Sequence, residues 1–174
     1  MPERYHPALV TLHWLLAALL LMALSAGTLV LQHAPNSDPS KLDALRIHAP
    51  MGLAIGVLML LRLVIRLKTR HPAPATTGIA LADRLAPLAH WSLYALVLAM
   101  TASGIALSVQ SGLGDAMFGT GALPASFDAF SARAAHGVIA SLLILTLVLH
   151  VAAAVYHAAV RRDGLLRRMW FGAR

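Results

Sequence analysis

Six of the nine histidines stand inside long apolar stretches, and four of these have spacings that could hold two metal-centred cofactors. His136 and His150 are fourteen residues apart, so a helix places them on nearly one face, about 21 Å apart along its axis. Counted from the nearest basic residue on its own side, His48 matches the depth of His136, and His13 matches that of His150. The spacing therefore predicts two histidine pairs stacked across a membrane.

Each predicted pair offers two imidazoles, and the chain has no cysteine. Zinc sites use three or four protein ligands, so a pair of imidazoles is too few. A haem iron takes one imidazole on each face of the ring, and two such ligands suit electron transfer better than oxygen binding. We interpret His13, His48, His136 and His150 as haem ligands, although a single helical histidine is more often a packing residue. Without a Cys-x-x-Cys-His motif, the haems must be held non-covalently.

The step of fourteen residues recurs on the other helices. It leads from His13 to Gly27, from His90 to Gly104 and from His48 to Arg62. The two glycines fall at the level of the opposite pair, where a missing side chain lets a flat macrocycle approach the backbone, although close helix packing explains them nearly as well. The arginine falls at the His13/His150 level, where it suits a haem propionate or extends to the membrane surface.

Long apolar stretches position these residues. They cover about 9–31, 47–67, 85–109 and 135–160, and each reaches the roughly 20 helical residues that cross a hydrocarbon core. Buried helices of a soluble bundle are rarely so long. The predicted fold is all-α, an integral membrane four-helix bundle that forms a single domain over residues 1–174.

Composition supports the membrane interpretation. The chain is 59% hydrophobic and 12% charged, whereas soluble domains carry about 25% charged residues. The net charge of +7 is concentrated between and after the apolar stretches. A nucleic-acid-binding protein would need a basic stripe on a soluble fold, so that class is not expected.

Basic residues also predict the orientation. Eleven lie on the side that carries both termini and the 68–84 loop. The opposite side carries only Lys41, Arg46 and Arg133. By the positive-inside rule, both termini should be cytoplasmic. The protein is expected to be multi-pass in a bacterial inner membrane.

The sequence around the histidines resembles the prokaryotic cytochrome b561 family of small four-helix dihaem membrane proteins. The matching residues are Leu12-His13-Trp14, Arg46-Ile47-His48, Leu88-Ala89-His90, Ala135-His136-Gly137, Leu149-His150-Val151 and Tyr156-His157. The likeness covers essentially the whole chain. It implies two non-covalent haem b groups, held by His13 with His150 and by His48 with His136. It also implies that superoxide is oxidised at the periplasmic haem and ubiquinone is reduced near the cytoplasmic haem.

The implied reaction suggests roles for four further residues. His90 and His157 share a shallow cytoplasmic level and are interpreted as a quinone site with a proton relay, or alternatively as interfacial anchors. Arg46 and Arg133 lie beside the periplasmic ligands. They are interpreted as a positive patch at the edge of the outer haem, or as ordinary helix-end charges.

Two other functions stay open at this point. The chain could be a cytochrome b subunit that passes electrons between the quinone pool and another redox protein. More distantly, it could be a transporter without a cofactor, although it has neither the carboxylate relay nor the broken helices of many transporters. The expected partners are membrane lipid, a quinone, and superoxide or a redox protein.

Overall fold

The structure is a computed structural model that describes residues 4–73 and 80–172, and its regular elements in these ranges are all helical. The long helices are α1 (Pro7–Ser25, continued by a π-helical turn, Ala26–Leu31), α2 (Pro39–Lys68), α3 (Ala80–Gln110) and α5 (Ser131–Tyr156, continued by a π-helical turn, His157–Arg161). Between α3 and α5 lies the short α4 (Leu113–Phe118), and a 3₁₀ turn (Leu165–Met169) follows α5. All four long helices are long and apolar enough to cross a membrane, so the predicted all-helical fold with four candidate spans is confirmed for the described residues.

The helices extend beyond the apolar stretches that predict them. The start of α2 at Pro39 lies before the apolar stretch 47–67 that predicts this helix. The Asp38 carboxylate accepts a hydrogen bond from the Ser40 amide at 2.9 Å, and proline suits the first helical position because it has no amide hydrogen to satisfy. Hydropathy locates the segment that crosses lipid, whereas capping residues locate the end of the helix.

The close helix pairs are α1 with α2, α2 with α3, and α3 with α5. Among the described residues, α1 and α5 approach each other less closely. A buried apolar cluster lies between the helices: Leu16, Ile55, Met59, Tyr94, Val97 and Leu143. Leu143 is seven residues from both His136 and His150, so it lies midway between the two histidine levels.

One end of the bundle, here the loop end, carries α4 and the start of α2. Three side chains on or before α2 connect it to neighbouring loops. Their contacts are Lys41 Nζ to the Ala34 carbonyl at 2.6 Å, Asn36 Nδ2 to the Pro124 carbonyl at 2.7 Å, and Arg46 Nε to the Met117 carbonyl at 3.2 Å. The connection between α3 and α5 is thereby held against α2.

The other end, here the termini end, is closed by the segment after α5. The amide of Tyr5 donates to the Arg168 carbonyl at 3.1 Å, and the indole N–H of Trp14 donates to the Met169 carbonyl at 2.9 Å. The Trp14 and Trp170 rings meet edge to face, with centroids 5.7 Å apart. The basic tail therefore packs against the first turns of α1.

Replacing Gly56 with alanine is expected to destabilise the protein by about 1–3 kcal/mol, the usual cost of overpacking a core. A Cβ at Gly56 would lie 2.6 Å from Cγ2 of Thr101 on α3, and a β-branched threonine has little freedom to turn away. Denaturant unfolding in detergent measures the effect. Gly114→Ala is the control, because no heavy atom lies within 4 Å of its added Cβ; equal stability of the two variants would contradict the prediction.

Candidate functional site

A cavity of about 490 Å³ lies at the loop end, and His48 of α2 and His136 of α5 both line it. The rest of its wall is mostly apolar and comes from all five helices. Ligand pockets in proteins have volumes of roughly 300–1,000 Å³, with a few polar groups in an apolar wall. The cavity has the size and composition of a site for a large apolar ligand with a metal that two imidazoles can bind.

Two glycines make room beside these histidines. A Cβ on Gly27, in the π-helical turn after α1, would lie 3.6 Å from Cε1 of His48. A Cβ on Gly104 of α3 would lie 3.3 Å from Cε1 of His136. The fourteen-residue step predicts both glycines at this level, and their positions are confirmed.

The two imidazoles differ in their hydrogen bonds. Nδ1 of His136 is 2.9 Å from the hydroxyl oxygen of Ser103 on α3. Nδ1 of His48 is buried, and no residue that the structure describes gives it a hydrogen bond. Among the described residues there is also no cluster of three or more His, Cys, Asp or Glu side chains that could hold a bare metal ion. The imidazole pair, the apolar cavity and the glycines together fit a haem.

The second histidine group lies at the termini end. The ring centroids of His13 on α1 and His150 on α5 are 6.4 Å apart. His90 on α3 is closer still to His150, with 5.3 Å between centroids. The structure therefore brings His13 and His150 together between α1 and α5, and the His90 imidazole contacts the His150 ring.

Arg62 lies within electrostatic range of His13 and His150. Its guanidinium donates a hydrogen bond to the Tyr94 hydroxyl and lies over that ring, 5.2 Å from the centroid. Arg66 lies over the same ring at 5.9 Å. Nε of Arg62 is buried without a hydrogen-bond partner among the described residues, which suits a site for an anionic group such as a propionate.

His90 and His157, expected at one level, have different neighbours. Nδ1 of His90 lies 2.7 Å from the Ala86 carbonyl oxygen, whereas Nδ1 of His157 lies 2.5 Å from Oδ2 of Asp163. Because both oxygens can only accept a hydrogen bond, each neutral ring carries its proton on Nδ1. Its Nε2 then has a free lone pair. The hydrogen bond from His157 is the main cause that lowers the pKa of the Asp163 carboxyl below its ordinary value.

The two arginines at the loop end have acidic partners. Arg46 Nη1 is 3.0 Å from Oδ1 of Asp43, and Arg133 Nε is 3.9 Å from Oδ1 of Asp128. Each aspartate offsets part of the positive potential expected at this edge. Both pairs are partly exposed and contribute little to stability.

Three residues with polar contacts at these sites are not predicted from the sequence. They are Ser103 beside His136, Tyr94 beside Arg62, and Asp163 beside His157. Their one signal is that each carries a polar group in or next to an apolar stretch. That signal is shared by several serines and threonines that bond only to their own helix.

Comparisons with known proteins match nearly the whole chain. A family model described as prokaryotic cytochrome b561 matches residues 4–172. The probable superoxide oxidase CybB of Yersinia pestis is 32% identical over 97% of each chain. Cytochrome b561 homolog 1 of Escherichia coli K12 is 27% identical over 96% of this chain and 97% of its own length. Homolog 2 of the same organism is 26% identical over 97% and 92%.

Proposed function

We propose that this chain, which belongs to the prokaryotic cytochrome b561 family, is a dihaem oxidoreductase that oxidises superoxide at the periplasmic side of the membrane and reduces ubiquinone near the cytoplasmic side. Family membership and the four apolar helices make it a membrane electron-transfer protein. The observation that carries the more specific proposal is the pair of histidine sites at opposite ends of one bundle. The 32% identity to a probable superoxide oxidase supports the choice of donor.

In this proposal His48 and His136 hold one haem b at the loop end, and His13 and His150 hold the other at the termini end. When bound, haem b supplies one-electron oxidation and reduction at its iron. Arg62 would pair with a propionate of the group at the termini end. The buried Nε of Arg62 and the glycines beside His48 and His136 support these assignments.

The loop end is proposed to face the periplasm, because it carries three of the fourteen basic residues. Arg46 and Arg133 would then flank the side where superoxide arrives. Their aspartate partners at 3.0 Å and 3.9 Å reduce the positive field on an approaching anion. Association is therefore expected to depend only weakly on salt.

The quinone is proposed to bind at the termini end, near His90 and His157. Each imidazole has its Nδ1 proton committed to an oxygen, so Nε2 is the nitrogen that can face a quinone. When protonated, Nε2–H donates to a quinone carbonyl oxygen and can pass its proton there on reduction. Two superoxide anions give two O₂ and two electrons, which with two protons convert one quinone to the quinol.

Stopped-flow mixing of the purified holoprotein with superoxide tests the proposed donor. The expected result is haem reduction well above the rate of the buffer background, followed by reoxidation on addition of ubiquinone. Absence of superoxide-driven reduction, in a protein that still contains haem, would contradict the superoxide assignment.

Replacing His157 with alanine is expected to slow quinone reduction by about 10²-fold or more, the usual contribution of a positioned proton donor, while both haems stay bound. The His157 ring is hydrogen-bonded to Asp163 and not to a proposed haem ligand. Removing the ring should therefore leave the proposed ligands of both haems in place. Haem content and the rate of quinone-driven reoxidation measure the two effects separately. Loss of haem from His157→Ala would instead assign the residue to haem binding.

A second function is favoured by the surface at the loop end. Phe118 on α4 lines the cavity and is 82% exposed, and the neighbouring arginines are already paired with aspartates. An apolar, weakly charged entrance suits a docking redox protein. In that case the chain would be a cytochrome b subunit, reduced rapidly by the partner and not by superoxide.

A further inference from the structure

Ser103 is one of the few buried polar residues in the bundle, 8% exposed in the last third of α3. Its hydroxyl oxygen lies 2.9 Å from the Met100 carbonyl oxygen and 2.9 Å from Nδ1 of His136. It therefore joins its own helix to the candidate haem ligand on α5.

The proton positions in this pair of contacts follow from the groups involved. A serine hydroxyl has one proton, and a backbone carbonyl can only accept. The Ser103 hydroxyl donates to the Met100 carbonyl, so its oxygen must accept from Nδ1–H of His136. A neutral imidazole with its proton on Nδ1 keeps the lone pair on Nε2. The contact therefore presents Nε2 of His136 for binding iron.

The facing histidine, His48, has no equivalent contact among the described residues. Nδ1 of His48 is buried, and among the residues that the structure describes none hydrogen-bonds it. The next residue after Ser103 is Gly104, whose missing Cβ leaves room 3.3 Å from Cε1 of His136. Two adjacent residues of α3 thus act on the His136 ring: Ser103 orients it, and Gly104 leaves room beside it.

We infer that Ser103 is a positioning residue for the haem at the loop end, acting through His136; this inference rests on the proposed haem site. A group that accepts the second N–H of a ligating imidazole fixes its orientation and raises its basicity. A more basic axial ligand stabilises the oxidised iron more than the reduced iron. Ser103 therefore lowers the reduction potential of this haem relative to the same site without the hydroxyl.

Ser103→Ala in the purified holoprotein tests the inference by spectroelectrochemical titration of both haems. The midpoint potential of one haem is expected to rise while that of the other stays unchanged. Haem affinity at the affected site should fall by roughly 10–100-fold, as for other partners of metal ligands. Ser103→Thr keeps a hydroxyl that can bond the preceding turn and is expected to restore the original potential.

Ser111→Ala is the matched control, because among the described residues the Ser111 hydroxyl bonds the Leu107 carbonyl of its own helix at 2.7 Å and no histidine, near the same end of the bundle. It should leave both potentials unchanged. Wild-type potentials and haem affinity in Ser103→Ala would overturn the inference. A wild-type protein with two haems that superoxide does not reduce would overturn the proposed donor alone. A wild-type protein that binds no haem would overturn the haem site and this inference together.

Discussion

Replacing His150 with alanine is expected to lower the haem content from two groups to one and to abolish quinone reduction. The His150 ring lies 6.4 Å from that of His13, so its loss leaves the iron at the termini end with one of its two proposed ligands. Loss of a residue that hydrogen-bonds a metal ligand typically lowers metal affinity by roughly 10–100-fold. Loss of a direct ligand should lower haem affinity by more. Haem-to-protein ratios and reduced-minus-oxidised spectra measure the loss.

His90→Ala is the most informative comparison for this variant. The centroid of the His90 ring is 5.3 Å from that of His150. The Nε2 atom of His90 has the free lone pair that a metal ligand needs. We expect His90→Ala to keep both haems and to lose quinone reduction. If His90→Ala lost a haem and His150→Ala kept both, His90 would be the haem ligand and His150 the residue near the quinone. His71→Ala, in the loop at the same end, controls for the removal of an imidazole.

Replacing His136 with alanine is expected to produce the opposite defect. The haem at the loop end should be lost, and reduction by superoxide should fall to the buffer background. The remaining haem at the termini end should still be reduced by quinol, because its proposed ligands, His13 and His150, lie at the other end of the bundle. Stopped-flow mixing with superoxide and, separately, with quinol distinguishes the two routes.

His33→Ala is the control at this end, because His33 lies exposed in the loop between α1 and α2. It should keep both haems and both reactions. If His136→Ala were still reduced by superoxide at the wild-type rate, superoxide would have to react elsewhere. The assignment of the loop end as the electron entry side would then be wrong.

Much of the fold is predictable because lipid leaves the chain few alternatives. Apolar runs long enough to cross the membrane must be helical, since their backbone groups need internal hydrogen bonds. Helical geometry then fixes depth along each helix, which is why the step of fourteen residues correctly places Gly27 near His48 and Gly104 near His136. The proposed ligand pairs follow from the same count and await the haem measurements above.

Depth alone does not give the direction in which a side chain points. His90 and His157 have similar depths by sequence, but the first faces His150 and the second joins Asp163 in the segment after α5. The contact between Trp14 and Met169 joins residues 155 positions apart, and no local pattern indicates it. Ser103 likewise depends on the rotation of α3 against α5.

The apolar layer around Leu143 has a consequence for the energetics of the membrane. An electron that passes between the two sites crosses this layer as an uncompensated charge, over about 21 Å of a hydrocarbon core roughly 30 Å thick. In the proposed orientation it moves inward against an inside-negative voltage, at a cost approaching 2.3 kcal/mol per 100 mV for a complete crossing. In the same proposal, protons for the quinone are taken up on the inner side. Each turnover would therefore add to the voltage that opposes it, so that disposal of superoxide also charges the membrane.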